Sequence, residues 1–188
     1  MAEGEWEPLR AVRLEMLADT PMAFVESLES AQAQTAGQWR NRAIAMTAPG
    51  SVTFVAEEDV AVQDVDEEGS GAKAFCGLMR VVLKHPQETS RPVQAMLISV
   101  YVAAPHRGTG LADELLRLSL KAATEELGAG LLQLGVHEDN TRAAGFYMRH
   151  GFRDTGRREV YPLDVSKKEI IMEYELAAAE PQRPGPDT

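Results

Sequence analysis

The stretch Met96-Leu-Ile-Ser-Val-Tyr-Val-Ala-Ala-Pro-His-Arg-Gly-Thr-Gly-Leu-Ala-Asp-Glu-Leu-Leu116 decides the reading of this chain. Its first part alternates Leu97, Ser99 and Tyr101 against Ile98, Val100 and Val102, a strand with one apolar and one mixed face. Its middle, Pro105 to Gly110, is a glycine turn. Its last part opens a run to Leu127 in which Leu111, Leu115, Leu118 and Ala122 recur at helical spacing, with Gly128 and Gly130 as the stop. A strand that empties through a glycine turn into a helix start leaves several backbone N–H groups without partners. They converge on one place, at the positive end of the helix dipole. Gly108 and Gly110 permit positive φ and close backbone approach, and Arg107 is positioned to add charge-assisted hydrogen bonds. The expected ligand moiety is a phosphate or pyrophosphate. The turn lacks the third glycine of a dinucleotide fingerprint and the Gly-Lys-Ser/Thr of a nucleotide P-loop. A tight turn with a packing glycine is the competing reading of these residues alone. Asp113 and Glu114, in the helix's first turn, would repel an anion unless their side chains are turned aside.

Downstream, Leu131–Val136 reads as a short buried strand, Asn140–His150 as a compact helix closed by Gly151, and Ile170–Leu176 as a last strand. Upstream, Ser51–Ala56, Ala74–Leu83 and Ala95–Val102 read as strands, the last two separated by a polar loop with Pro86 and Pro92. Glu57–Gly71 carries seven acids and no base and reads as a solvated hairpin loop whose length favours disorder. Two helical stretches come first. One has Pro8 in its first turn, Leu9, Val12, Leu14, Met16 and Leu17 as its stripe, and Pro21 as its stop. The other runs from Ser30 to Thr47 and contains Trp39. Helices, a mainly antiparallel sheet and one strand–loop–helix–strand unit define a mixed α/β (α+β) layer fold. It is expected to be a single domain over residues 1–180, followed by a disordered Pro-rich tail over 181–188.

The chain's 188 residues fit one domain with a proper core. No apolar run approaches a membrane span, and the acidic N-terminus shows no signal peptide. Cys76 is the only cysteine, which excludes an internal disulfide and a Cys-based zinc site and fits a reducing cytoplasm. No His/Asp/Glu cluster has metal-ligand spacing, so no metal is expected. With 19 Lys+Arg against 29 Asp+Glu, the net charge of −10 argues against nucleic acid and favours cationic partners.

Two segments carry a family resemblance. Val102-Ala-Ala-Pro-His-Arg-Gly-Thr-Gly-Leu-Ala112 resembles the acyl-CoA pyrophosphate loop of the GNAT N-acetyltransferase superfamily, whose Gln/Arg-x-x-Gly-x-Gly/Ala pattern is met by Arg107, Gly110 and Ala112. About thirty residues on, Asn140-Thr-Arg-Ala143-Ala-Gly-Phe146-Tyr147-Met-Arg-His-Gly151-Phe152 resembles the family's Asn-x-x-Ala-x-x-Phe-Tyr-x-x-x-Gly-Phe segment. Pro21-Met-Ala-Phe24 is similar to a common helix junction of the same family. The resemblance implies a mainly antiparallel sheet with two splayed parallel strands, Met96–Val102 and Leu131–Val136, and acetyl-CoA lying in the gap between them. Val100, Tyr101 and Val102 would pair with the pantetheine arm through their backbone. Arg107, Gly108, Thr109, Gly110, Leu111, Ala112 and Asp113 would hold the pyrophosphate. Asn140, with Ala143 beside it, would contact the pantetheine arm, although Asn140 is equally a natural N-cap.

The resemblance also implies an N-acetyltransferase that moves acetyl directly to a primary amine, with Tyr147 protonating the leaving thiolate. A core tyrosine is the competing reading of Tyr147. Several members carry a glutamate as base where Gly135 stands, and others a carboxylate near Gln94. The candidates left are His137, Glu138, and Tyr101 or Ser99 through water. His137 has a suitable unperturbed pKa, while His137 and Glu138 equally suit a solvated strand-to-helix turn. Acceptor-site candidates are Phe24, Glu26 and Tyr161, with Glu29, Trp39, Tyr101 and His137 in the same elements, a lining suited to a cationic small-molecule or peptide amine. Met1–Glu5 is too short and polar for the family's opening strand, so the expectation is that the chain either lacks that strand or begins late. Many members are homodimers, and nothing in Lys167–Glu169 decides the point. A non-catalytic acyl-CoA sensor or subunit of the same fold, and an unrelated phosphate-binding domain, are the alternatives.

Overall fold

Pro21 closes the first helix as its backbone chemistry requires. In a computed structural model, which describes residues 5–59, 73–84 and 92–176, helix α1 spans Trp6–Asp19 and a short 3-10 turn follows at Pro21–Ala23. The single helix expected over Ser30–Thr47 is two helices, α2 (Leu28–Gln32) and α3 (Ala36–Ala45). The cause is local. Thr35 Oγ1 accepts from the Gln38 N–H while Gln38 Oε1 accepts from the Thr35 N–H, a capping box that starts a new helix inside the expected one.

Strands β1 (Ser51–Asp59), β2 (Lys73–Leu83) and β3 (Gln94–Val102) follow, then α4 (Leu111–Glu125), β4 (Leu131–His137), α5 (Thr141–Arg149), β5 (Arg153–Val160) and β6 (Lys168–Glu175). Glu57–Asp59, expected in a loop, extends β1. Strand β5 had no counterpart in the sequence reading. It is an edge strand with both faces largely exposed, so no apolar alternation marks it. The remainder of the acidic loop and the Pro-rich tail lie outside the described residues. Among the described residues no strand precedes α1, and no helix is long and apolar enough to cross a membrane.

The sheet order is β1-β2-β3-β4-β6-β5, antiparallel except for the pair β3–β4. That parallel pair holds only where Gln94–Met96 faces Leu131–Gln133. Beyond it β3 follows β2 to Val102 and β4 follows β6 to His137, so the two central strands part and leave facing edges unpaired. The parting coincides with an irregularity in β3. Its register on β2 shifts between Leu78 and Arg80, and Ser99 has φ +54°, the one positive φ at a non-glycine among the described residues. The sheet separates two apolar clusters. One contains Leu97, Leu115, Leu116, Leu134, Val136 and Tyr147, from the sheet face under α4 and α5. The other contains Val12, Met16, Trp39, Leu78 and Tyr101, from the face under α1 and α3.

Candidate active site

The glycine turn has the geometry its sequence demands. Gly108 and Gly110 have φ +79° and +91°, and a Cβ at either would meet no atom within 4 Å. Gly110 is the N-cap of α4 and offers no side-chain cap. None of the backbone N–H groups from Gly108 to Asp113 is donated to a described residue, and the first to be used is that of Glu114, to Gly110 O. This is a concave run of free donors at a helix start, with open space in front. Both first-turn acids are turned aside. Asp113 pairs with His150 Nε2 at 2.7 Å, and Glu114 accepts from Arg117.

Arg107 has a different placement from the phosphate ligand expected. Its Nε donates to Val102 O at 2.9 Å, its Nη2 pairs with Asp19, and the guanidinium lies over the Tyr101 ring. The hydrogen bond from Arg107 holds the Asp19 carboxyl below the usual range. The residue therefore clips the turn to the end of α1, and its charge is compensated locally.

Asn140 Oδ1 accepts from the Ala143 N–H at 3.1 Å, so the N-cap role is realised and the side-chain amide N–H remains unused among the described residues. One turn on, Tyr147 is 6 % exposed, with Phe146 and Phe152 both 5.4 Å from its ring. Its hydroxyl has no hydrogen-bond partner among the described residues. Burial pushes its pKa far up, so the phenol keeps its proton. Tyr101 differs: its hydroxyl donates to Glu15 at 3.0 Å.

On the other face, three of the residues singled out in the sequence meet. Tyr161 donates its hydroxyl to Phe24 O at 2.7 Å, and its ring stands edge-on to His137 at 4.7 Å. His137, expected in a solvated turn, is the buried last residue of β4, and its Nδ1 accepts from the Asp139 N–H at 3.2 Å. Glu138 is half-buried. Glu26 does not join this group. It accepts from Arg42 Nη1 and Nη2, Arg13 Nε and Gln34 Nε2. Burial pushes the Glu26 pKa up, but the two guanidiniums outweigh it and hold the carboxyl at about 2. Trp39 is fully buried in the core and Glu29 is exposed on α2, so neither lines the group.

One carboxylate that sequence reasoning passed over lies beside His137. Glu169 Cδ and Oε1 stand 3.3 Å from where a Cβ on Gly135 would be. Gly135 is exposed in the middle of an otherwise buried stretch of β4, a signal of open space against the strand.

A second juxtaposition also escaped sequence spacing, because it joins three elements. Glu58, Cys76 and His106 bring donor atoms within 4.8 Å of one another. Each is already engaged within the protein: His106 Nε2 with Glu58 at 2.7 Å, and Cys76 Sγ with Ala56 O at 3.5 Å. Burial raises the Cys76 thiol pKa.

Comparison with known proteins places this geometry. The profile of the Acetyltransferase (GNAT) family matches residues 15–152. Peptidyl-lysine N-acetyltransferase YjaB of Escherichia coli (strain K12) is 35% identical over 88 residues, covering 40% of this chain and 56% of YjaB. The chain thus spans about half the length of that relative. An acetyltransferase of the GNAT family from Streptococcus pneumoniae has the same fold, with TM-score 0.68 and 15% identity over 94% of this chain and 96% of that one. So does YncA from Salmonella typhimurium, solved with its cofactor acetyl-CoA, with TM-score 0.65 and 15% identity over 100% of this chain and 95% of that one.

Proposed function

The chain belongs to the acetyltransferase (GNAT) family, and on that premise we propose that it moves an acetyl group from acetyl-CoA to a primary amine by direct transfer in a ternary complex. The observation that carries the reading is the parting of β3 from β4, whose free edge runs into the row of unused N–H groups at Gly108–Asp113. The residues present fit the donor. The edge of β3 at Val100–Val102, apart from Val102 O, which accepts from Arg107, suits the amides of a pantetheine arm, as a sheet edge suits an added strand. The N–H groups of Gly108, Thr109, Gly110, Leu111, Ala112 and Asp113 suit a pyrophosphate without a cationic side chain, which matters because Arg107 is committed to Asp19. Asn140, beside Ala143, keeps an amide N–H for the same arm.

When bound, acetyl-CoA supplies an activated thioester. Tyr147 supplies the acid: a buried phenol, protonated and without another partner, suits donation to a departing thiolate. Removing the ammonium proton falls to a group on the opposite face, where the sequence nominated His137 and Glu138. Phe24 and Tyr161 frame that side. The net charge of −10 and the peptidyl-lysine specificity named for YjaB favour a cationic amine, with a lysine-bearing peptide as the first acceptor to try. We read residues 1–180 as one catalytic domain and 181–188 as a tail outside it.

Incubation with acetyl-CoA and a panel of primary amines, followed by free-thiol release and product mass, tests this. Amine-dependent thiol release is expected. CoA binding without turnover of any amine would overturn the catalytic reading in favour of a sensor. Thermal stabilisation by a nucleotide but not by CoA would overturn the donor assignment.

A further inference from the structure

A primary amine is an ammonium ion at neutral pH and cannot attack a carbonyl until it loses a proton. Of the residues that the sequence nominated, His137 has its Nδ1 lone pair occupied by the Asp139 N–H, and the other ring nitrogen of a neutral imidazole then carries the hydrogen. Glu138 is half-buried and lies past the end of β4. Tyr101 is committed to Glu15. Glu169, by contrast, stands within the paired strands. It is half-buried and forms no hydrogen bond or ion pair with a described residue. It is cross-strand neighbour to His137 on β4 and to Glu159 on β5, so its nearest acidic neighbour is a like charge. Four residues along, on the same face of β6, Glu173 shows the ordinary arrangement: it accepts from Gln133, which in turn accepts from Lys84. A half-buried carboxylate with no hydrogen-bonded or ion-paired cation among the described residues, set against another carboxylate, costs stability and calls for a function.

Its position supplies one. The carboxylate leans over Gly135, the exposed point of β4 just past the place where β3 and β4 part. Residues alternate along a strand, so Gly135, His137 and Glu169 lie on one face while Leu134, Val136 and Tyr147 lie on the other. The proton acceptor for the amine and the proton donor for the thiolate are thus on opposite faces of one gap.

We propose that Glu169 is the catalytic base, receiving the acceptor as its ammonium ion and taking its proton; this rests on the reading of the chain as an N-acetyltransferase. The N–H bond of the ammonium breaks and an O–H bond forms on Glu169. The freed nitrogen lone pair then forms the N–C bond as the C–S bond breaks. A second nitrogen proton is released, the thiolate takes one from Tyr147, and water restores both side chains. The groups facing Glu169 set its readiness. Desolvation and Glu159 raise its pKa, His137 opposes them, and Tyr161 feels its charge from the neighbouring loop. Glu159 is itself bonded to Arg157, which leaves Glu169 the free member of the pair.

The experiment compares wild type with Glu169→Gln across pH, using the fastest amine of the thiol-release panel. We expect kcat/KM at neutral pH to fall at least ~100-fold in the variant. The variant's rate should then climb about tenfold per pH unit until it meets the wild type above the amine's own pKa, because the solvent then supplies neutral amine. CoA affinity should be unchanged, and the melting temperature equal to or above that of wild type, since an unpaired, half-buried charge has been removed. A gap that is constant with pH, or no gap, overturns the proposal while leaving the acetyltransferase reading intact. Absence of wild-type turnover with every amine overturns both.

Discussion

Replacing Tyr147 by Phe separates packing from chemistry, because it removes one oxygen and keeps the ring. The ring lies between Phe146 and Phe152, and the hydroxyl has no described partner whose hydrogen bond would be lost. The stability change should therefore stay within about 0.5 kcal/mol. A truncation such as Tyr147→Ala should instead cost about 3–5 kcal/mol through the cavity it leaves. General acids contribute about 10²–10⁴ in rate, or about 2.7–5.4 kcal/mol of barrier. A thiolate is a moderately good leaving group, so the lower end applies. We expect kcat to fall about 100-fold with the KM for acetyl-CoA moving less than about threefold. Initial rates of thiol release at saturating acetyl-CoA and amine measure this directly. Burial raises the phenol pKa, so the protonated form persists through mildly alkaline pH, and wild-type kcat should show no loss there from this group. Equal kcat for wild type and Tyr147→Phe at saturation would refute the assignment, as would a melting temperature that falls in step with the rate.

Gly110→Val should lower CoA affinity at least about tenfold by calorimetry, since the new side chain enters open space facing the free N–H groups and φ is +91°. Gly156→Val on β5, at φ +78° and equally uncrowded, is the control for backbone strain and should leave CoA affinity unchanged. Equal losses in the two variants would remove the turn from the binding site. At Glu26, a folded pKa of about 2 against an ordinary 4.5 means that its stabilisation is complete above about pH 4.5 and is lost as pH falls toward 2. Its size is roughly 1–3 kcal/mol after allowance for solvent screening. Acid unfolding of Glu26→Gln should be correspondingly flatter in that window, and an unchanged acid profile would contradict the network. Glu26→Ala at neutral pH leaves the buried Arg13 uncompensated and should cost about 3–5 kcal/mol in denaturant unfolding.

The parts of the fold that the sequence makes legible are those set by local chemistry. The glycines at 108 and 110, the periodic Leu111, Leu115 and Leu118, and the Asn140 cap all act within a few residues of themselves, and they mark the turn, α4 and α5 directly. The break between α2 and α3 was also local, but Thr35 and Gln38 sit inside a stretch that reads as continuous helix. Strand β5 was invisible because an edge strand exposed on both faces has no reason to alternate. The site residues that were missed depend on pairing across long chain separations. Arg107 finds its counter-charge at Asp19, 88 residues away, and nothing near either residue in the chain announces the other. Glu169 reaches Gly135 only through the register of β4 on β6. In the sequence Gly135 reads as the absence of a carboxylate, whereas in the fold it is the space that another strand's carboxylate fills.

The hydrogen bond from Tyr161 to Phe24 O joins residues 137 positions apart. It ties the junction after α1 to the loop after β5, and neither of these segments belongs to the turn at Gly108–Gly110. On the proposed function, the amine's side is framed by this junction and loop, which lie toward opposite ends of the described chain, while the donor's seat lies between them in sequence. Substitutions that reshape the junction or the loop can exchange one acceptor for another while the donor's seat is inherited intact. If the proposed function holds, specificity for the two substrates can diverge at different rates within a single lineage.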